Sequence, residues 1–170
     1  MKRLIIIRHP EYGDTGDLLP SSKEDFSDLF NTVVKETGLG DTFILTSPSP
    51  RTMQTTNIVD SAMGGFTPIT QMLELRQKDY PSHECYEKIF NAIKEQMATS
   101  VDTLVISTHG EYTGGLLNYT FDRLKGRSLR ENYFMHSNIE KGQMIVFDFE
   151  KEKAVTMGPK KDDPPCDWNF

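Results

Sequence analysis

The sequence predicts an α/β fold, a three-layer αβα sandwich with a largely parallel central sheet. Short apolar runs rich in β-branched residues recur along the 170 residues, stretches with helical spacing separate them, and turn residues punctuate the joins. Strands that alternate with helices in this way place helices on both faces of a mainly parallel sheet.

The first run, residues 4–7, is continuously apolar and ends at Arg8-His9 and then Pro10, the pattern of a central strand buried on both faces. Lys2 and Arg3 precede it, but the run falls short of the roughly 7–15 apolar residues of a signal peptide and no small-residue cleavage site follows, so it reads as a strand. Pro10, Gly13, Asp14, Gly16, Asp17 and Pro20 make 10–21 a long loop. Ser21 or Ser22, followed by Glu24 and Asp25, opens a helix whose apolar face is Phe26, Leu29, Phe30, Val33 and Val34, with Gly38 or Gly40 as its stop. A second strand over 42–46 passes through Ser-Pro-Ser-Pro into a helix from about Pro50 to Met63, where proline suits the first turn.

A short strand over 66–69 and an irregular stretch through Pro81 come next. A third helix is expected over 82–97, a strand over 103–107, and a helix from Gly110 to about Leu124. Residues 144–149 and 154–157 read as a closing hairpin or as two edge strands. One domain is expected over 1–158, followed by a tail over 159–170 in which the Lys-Lys-Asp-Asp-Pro-Pro stretch is solvated and Trp168 and Phe170 are candidates to dock on the body.

Composition excludes several classes. The chain is long enough to bury one core without covalent staples. No window approaches the roughly 18 uninterrupted apolar residues of a membrane span. A net charge of −6 opposes general nucleic-acid affinity, which needs a basic face. Cys85 and Cys166 have no paired spacing, which argues against a disulfide framework or a zinc site and for free thiols in a reducing cytoplasm. No Gly-x-x-x-x-Gly-Lys-Ser/Thr loop is present, and Gly110–Gly115 lacks the spacing of a dinucleotide fingerprint.

In an open α/β sheet ligands bind at the carboxyl ends of the strands. The first strand ends in Arg8-His9, the second in Thr46-Ser47-Pro48 leading to Arg51, and the strand over 103–107 in Thr108-His109-Gly110. Two histidines and two arginines, about 100 residues apart, are thereby brought to one rim. Guanidinium forks match phosphate oxygens, and a phosphate monoester is a strongly anionic group at neutral pH. Phosphoryl transfer needs in-line attack, charge neutralisation and protonation of the leaving oxygen. A neutral imidazole is a competent nucleophile when a backbone carbonyl fixes its other nitrogen. Glu74, flanked by apolar residues in Met-Leu-Glu-Leu, is a candidate general acid.

These residues resemble the histidine phosphatase superfamily, the phosphoglycerate-mutase-like family. Its Arg-His-Gly after the first strand is matched by Arg8-His9-Pro10. Its Ser-Pro-x-x-Arg-Ala-x-Gln-Thr pattern is matched by Ser47-Pro48-Ser49-Pro50-Arg51-Thr52-Met53-Gln54-Thr55, and its second His-Gly by His109-Gly110. The Leu-x-Glu segment looks like Met72-Leu73-Glu74, and the Gly-Glu-Ser that opens the next helix looks like His83-Glu84-Cys85. The resemblance spans about residues 2–150. It implies His9 as phosphoryl acceptor, Arg8, Arg51 and His109 as binders of the transferred group, and Glu74 as proton donor, with Glu84 and Glu11 as substitutes for that role. It implies no metal and no cofactor. Pro10 in place of glycine removes a backbone donor, Glu111 adds negative charge beside the pocket, and His136 lies where the family has an Asn-containing segment.

The function expected is a metal-independent phosphoric monoester hydrolase acting on a small phosphomonoester through a phosphohistidine on His9. The alternatives are a protein phosphohistidine phosphatase, for which the partner is a phosphoprotein and no dedicated acid is needed, and a catalytically silent phosphate-binding module. A phosphoglycerate mutase, whose relatives carry extra segments over the site, fits the length less well. Neither nucleic acid nor membrane is an expected partner. Lys125, Arg127 and Arg130 are either binders of a remote anionic group or solvated side chains.

Overall fold

The computed structural model describes residues 1–76, 81–130, 133 and 139–158, together with the backbone of 167–168. Its strands are β1 (Arg3–Arg8), β2 (Thr42–Thr46), β3 (Ile69–Gln71), β4 (Thr103–Thr108), β5 (Met144–Asp148), β6 (Lys153–Met157) and β7 (Asp167–Trp168); its helices are α1 (Pro20–Thr37), α2 (Pro50–Ala62), α3 (His83–Met97) and α4 (Thr113–Leu124). The strands form one sheet in the order β3-β2-β4-β1-β5-β6-β7. The first four in that order run parallel and the last three are antiparallel.

Side-chain alternation along the strands builds the layers. Leu4, Ile6, Leu104 and Ile106 point into a core completed by Tyr86, Ile89, Phe90 and Ile93 of α3 and by Leu116 and Leu117 of α4. Ile5, Ile7, Ile44 and Val105 point to the other face, where Phe26, Phe30 and Val33 of α1 and Val59 of α2 cover them. The expected three-layer sandwich is therefore what forms.

Local signals set most of the boundaries. Pro20 opens α1 a residue ahead of the serines, because its fixed φ suits a first turn and its missing N–H is not needed there. Gly38 ends α1 with φ 55, its N–H donating to the carbonyl of Val34. Ser82 caps α3 by accepting from the Cys85 amide at 3.2 Å. The third strand lies three residues later than expected, over Ile69–Gln71, and Phe66 is 96% exposed instead of entering the sheet. The helix expected from Gly110 begins as a 3₁₀ turn, Gly110–Tyr112, before α4 proper.

The 144–157 region is the expected hairpin, and β5 is internal to the sheet, paired to β1. The backbone of Asp167–Trp168 pairs with Ala154 and Val155 of β6, so part of the terminal stretch adds a short strand to the sheet. The 160–165 stretch, Cys166 and Phe170 lie outside the described residues. Among those described, no helix is long and apolar enough to cross a membrane.

Candidate active site

β1, β2 and β4 are neighbours and parallel, so their carboxyl ends carry Arg8-His9, Ser47 and His109 to a common rim. α2 brings Arg51 to the same place, and its seating is polar. Thr52 donates to the carbonyl of Ser47 at 2.7 Å, Thr56 donates to the hydroxyl of Thr46 at 2.9 Å, and Ser107 donates to the carbonyl of Thr52 at 3.2 Å. Hydroxyls rather than aliphatic groups line this contact because strand-end carbonyls are buried there and need donors.

His9 is 4% and His109 1% exposed, and their rings lie 5.2 Å apart. Nδ1 of His9 lies 2.8 Å from the carbonyl oxygen of Pro10, so it carries the proton and leaves the lone pair on Nε2. Arg51 Nε donates to that Nε2 at 2.9 Å. Arg51 Nη2 lies 3.2 Å from Nδ1 of His109. A guanidinium only donates, so His109 accepts at Nδ1 and presents Nε2–H to the hydroxyl of Ser47 at 3.1 Å. One arginine thus fixes the outward lone pair of both rings.

Burial, opposed in part by the bond to Pro10 and assisted by Arg51, Arg8 and Lys141, lowers the His9 pKa from 6.5 to about 4. Burial first, then Arg51, His9 and Arg8, lowers that of His109 to about 3. Both imidazoles are neutral at pH 7. Arg8 donates from Nη1 to the carbonyl of Ile139 at 2.6 Å, while its buried Nε has no hydrogen-bond partner among the described residues. The guanidinium lies against Gly110, where a Cβ would come within 2.7 Å of Cζ.

The structure brings together Arg8, His9, Arg51 and His109, as the sequence reading expected. Glu74 sits on a 3₁₀ turn, Leu73–Leu75, with its carboxylate 3.7 Å from Lys88 Nζ, and Leu73 and Arg76 beside it line the recess that Arg51 and His109 share. Leu75 is fully buried and anchors the turn, whereas Leu73 is 72% exposed.

The substitutes for the proton-donor role are held in ion pairs of their own. Glu84 is an exposed residue of α3 paired to Lys88 at 3.1 Å, and Glu11 pairs with Lys141 at 3.3 Å. His83 is exposed and lies 5.7 Å from the Tyr133 ring. His136 lies outside the described residues. Lys125 pairs with Glu152, and Arg130 binds buried Asp122 at 3.0 Å, with Arg127 3.9 Å away. These cations follow the carboxyl end of α4, so they occupy the opposite rim of the sheet and cannot reach a ligand held by His9.

Four contributors had no sequence role assigned. Ser47 orients His109. The Pro10 carbonyl orients His9, so the proline that removes a donor supplies the acceptor. Tyr12 packs 5.2 Å from the His9 ring with Arg51 Cζ 4.7 Å and Lys141 Nζ 4.8 Å from its centroid. Gln54 accepts from the Leu18 amide at 3.0 Å and donates to Asp17, tying the 10–21 loop to α2. Ser47 and Gln54 belong to the Ser-Pro-x-x-Arg motif, which was the available signal; nothing in the sequence singles out Tyr12 or Lys141.

Known structures share this architecture. The alpha-ribazole phosphatase of Shigella flexneri superposes with a TM-score of 0.60 at 17% identity, covering 89% of this chain and 93% of that one. A mycobacterial glucosyl-3-phosphoglycerate phosphatase in complex with VO3 gives 0.63 at 13% identity, covering 87% and 93%. An Agrobacterium tumefaciens protein assigned as the phosphohistidine phosphatase SixA gives 0.58 at 19% identity, covering 86% and 91%. This is the histidine phosphatase fold. No protein-family model and no curated protein sequence matches the chain. Within the histidine phosphatase fold, the rim that bears the two imidazoles is the candidate active site. Among the described residues no group of three histidine, cysteine or acidic side chains is placed to hold a metal ion.

Proposed function

We propose that the chain is a metal-independent phosphatase of the histidine phosphatase superfamily that works in the cytosol through a phosphohistidine on His9. The bond from His9 Nδ1–H to the Pro10 carbonyl carries this reading, because it aims an unprotonated Nε2 into a cluster of Arg8, Arg51 and His109. Nε2 attacks phosphorus and the bond from phosphorus to the leaving atom breaks. Arg8, Arg51 and the Nε2–H of His109, re-directed from Ser47, neutralise the equatorial oxygens. Water then attacks the phosphohistidine, releasing phosphate and regenerating the neutral ring.

The substrate reading divides on the leaving group. A small phosphomonoester leaves as an alkoxide that needs a proton, and Glu74 is the carboxylate proposed for it. A second reading is favoured by the pairing of Glu74 with Lys88. A phosphohistidine whose distal nitrogen is protonated releases a neutral imidazole, so no carboxylic acid is required, and the protein would then act on a phosphoprotein.

The test is turnover of p-nitrophenyl phosphate and of a phosphorylated imidazole in the presence of a chelator, by wild type, His9→Ala and Glu74→Gln. Loss of both activities in His9→Ala, with an acid-labile phosphoryl label on wild type only, is the expected result. A large loss for Glu74→Gln on the ester alone supports the monoesterase. An unchanged Glu74→Gln with faster turnover of the phosphoramidate supports the second reading, and activity retained without His9 would sink both.

A further inference from the structure

The phosphoryl cluster opens on one side into a recess of about 410 Å³, lined by Pro48, Ser49, Pro50, Arg51, Leu73, Arg76 and His109. That size suits a small organic ligand. Arg76 follows the 3₁₀ turn that holds Glu74, and its backbone is fixed on both sides. Its N–H donates to the Leu73 carbonyl at 3.0 Å, and its own carbonyl accepts from the Tyr112 hydroxyl at 3.3 Å. Among the described residues no carboxylate forms an ion pair with its guanidinium.

A lone exposed arginine is ordinarily a solvated side chain. Arg76 differs in the company it keeps. It shares one recess with Arg51 and His109, and among the described residues no acidic side chain lines that recess. The neighbouring carboxylate, Glu74, is engaged by Lys88 instead. In a chain of net charge −6, a recess whose described lining includes two arginines and no acid places positive charge next to the reacting group. Leu73, 72% exposed on the same turn, adds an apolar surface together with the two prolines.

We propose that Arg76 binds a second anionic group of the substrate, a carboxylate or a second phosphate a few atoms from the transferred phosphoryl group, while Leu73, Pro48 and Pro50 contact the linker between them. The proposal rests on the reading of Arg8, His9, Arg51 and His109 as a phosphoryl site. It narrows the substrate to small phosphorylated compounds with two anionic ends, and it gives Arg76 a role in affinity rather than in bond cleavage.

Non-hydrolysable phosphonates test this by calorimetry, independently of turnover. Inorganic phosphate, propylphosphonate, 4-phosphonobutyrate and propane-1,3-diyl bisphosphonate are titrated into wild type and Arg76→Gln. One of the two-ended ligands is expected to bind wild type on the order of tenfold more tightly than propylphosphonate, the worth of one charge-assisted hydrogen bond. Which one it is identifies the second anion as carboxylate or phosphate. Arg76→Gln is expected to remove that advantage while leaving phosphate and propylphosphonate unchanged. Equal binding of all three phosphonates to wild type, or an equal loss of all ligands in Arg76→Gln, overturns the role of Arg76 and leaves the phosphoryl site standing. Absence of phosphate and phosphonate binding altogether overturns both.

Discussion

Arg51 Nε donates to His9 Nε2 at 2.9 Å, so the atom proposed to attack phosphorus is held by a group proposed to bind the phosphoryl oxygens. For attack the guanidinium must transfer its hydrogen bond from the imidazole to the substrate. An anionic phosphoryl oxygen is a stronger acceptor than a neutral ring nitrogen, which favours the exchange. The arrangement couples exposure of the nucleophile to arrival of the phosphoryl group.

Arg51→Lys is expected to keep the charge and lose function. A single ammonium lacks the fork that meets both His9 and His109, at 2.9 and 3.2 Å. Rapid-quench measurement of phosphoenzyme formation should show a fall of about 100-fold or more, the scale of losing one preorganised charge-stabilising donor. A phosphorylation rate within about threefold of wild type would remove Arg51 from the chemistry.

The two buried imidazoles predict an acid-labile fold. Both folded-state pKa values lie below the ordinary 6.5, at about 4 for His9 and about 3 for His109. The unfolded chain therefore binds protons that the folded protein refuses. Stability is fully present above pH 6.5 and declines as pH falls through the window from 6.5 to about 4 and then 3. Among the described residues the carboxylates whose values are lowered, Asp102 and Asp148, act only below their ordinary 3.8, and the lowered values that bear on the upper part of the window are those of His9 and His109. Urea midpoints between pH 7 and 4.5 should fall by an amount worth a few kcal/mol in wild type, and less steeply in His109→Asn.

Gln54 links the 10–21 loop to α2 through the Leu18 amide and Asp17. Gln54→Ala is expected to cost about 1 kcal/mol and to raise hydrogen exchange at the loop amides selectively. Because Tyr12 in that loop packs on both His9 and Arg51, catalytic efficiency should fall with it. Unchanged exchange at residues 13–19 would show that the loop is held by other means.

Most of the fold was legible because the strands are short, β-branched and closed by polar residues. Ile5, Ile6 and Ile7 can only be interior, and the helices show one apolar face each. The convergence of Arg8, His9, Arg51 and His109 followed from strand ends in a parallel sheet. The surroundings of Glu74 were not legible, because its ion pair with Lys88 and the burial of Leu75 rather than Leu73 depend on the tertiary pocket that receives the 3₁₀ turn. The third strand was placed too early for a related reason. Phe66 carries strong β propensity, but after the turn at Gly64 and Gly65, both at positive φ, it is left in solvent. Tyr12 and Lys141 are 129 positions apart in sequence and meet only through the fold.

Gly110 and Gly115 separate function from folding by a matched pair of substitutions. Neither has a positive φ, so alanine is acceptable to both backbones. At Gly110 the added Cβ meets the Arg8 guanidinium at 2.7 Å, the far end of a flexible side chain that can move aside. At Gly115 it meets the Tyr133 backbone oxygen at 2.8 Å, which cannot yield without shifting the chain. Gly110→Ala should therefore melt within a few degrees of wild type while phosphate affinity and turnover fall on the order of tenfold, since Arg8 is displaced from the oxygens it would bind. Gly115→Ala should lose about 1–3 kcal/mol of stability through overpacking, and retain phosphate affinity when assayed well below its melting temperature. Should Gly110→Ala bind phosphate as wild type does, the guanidinium of Arg8 would not be a ligand of the phosphoryl group.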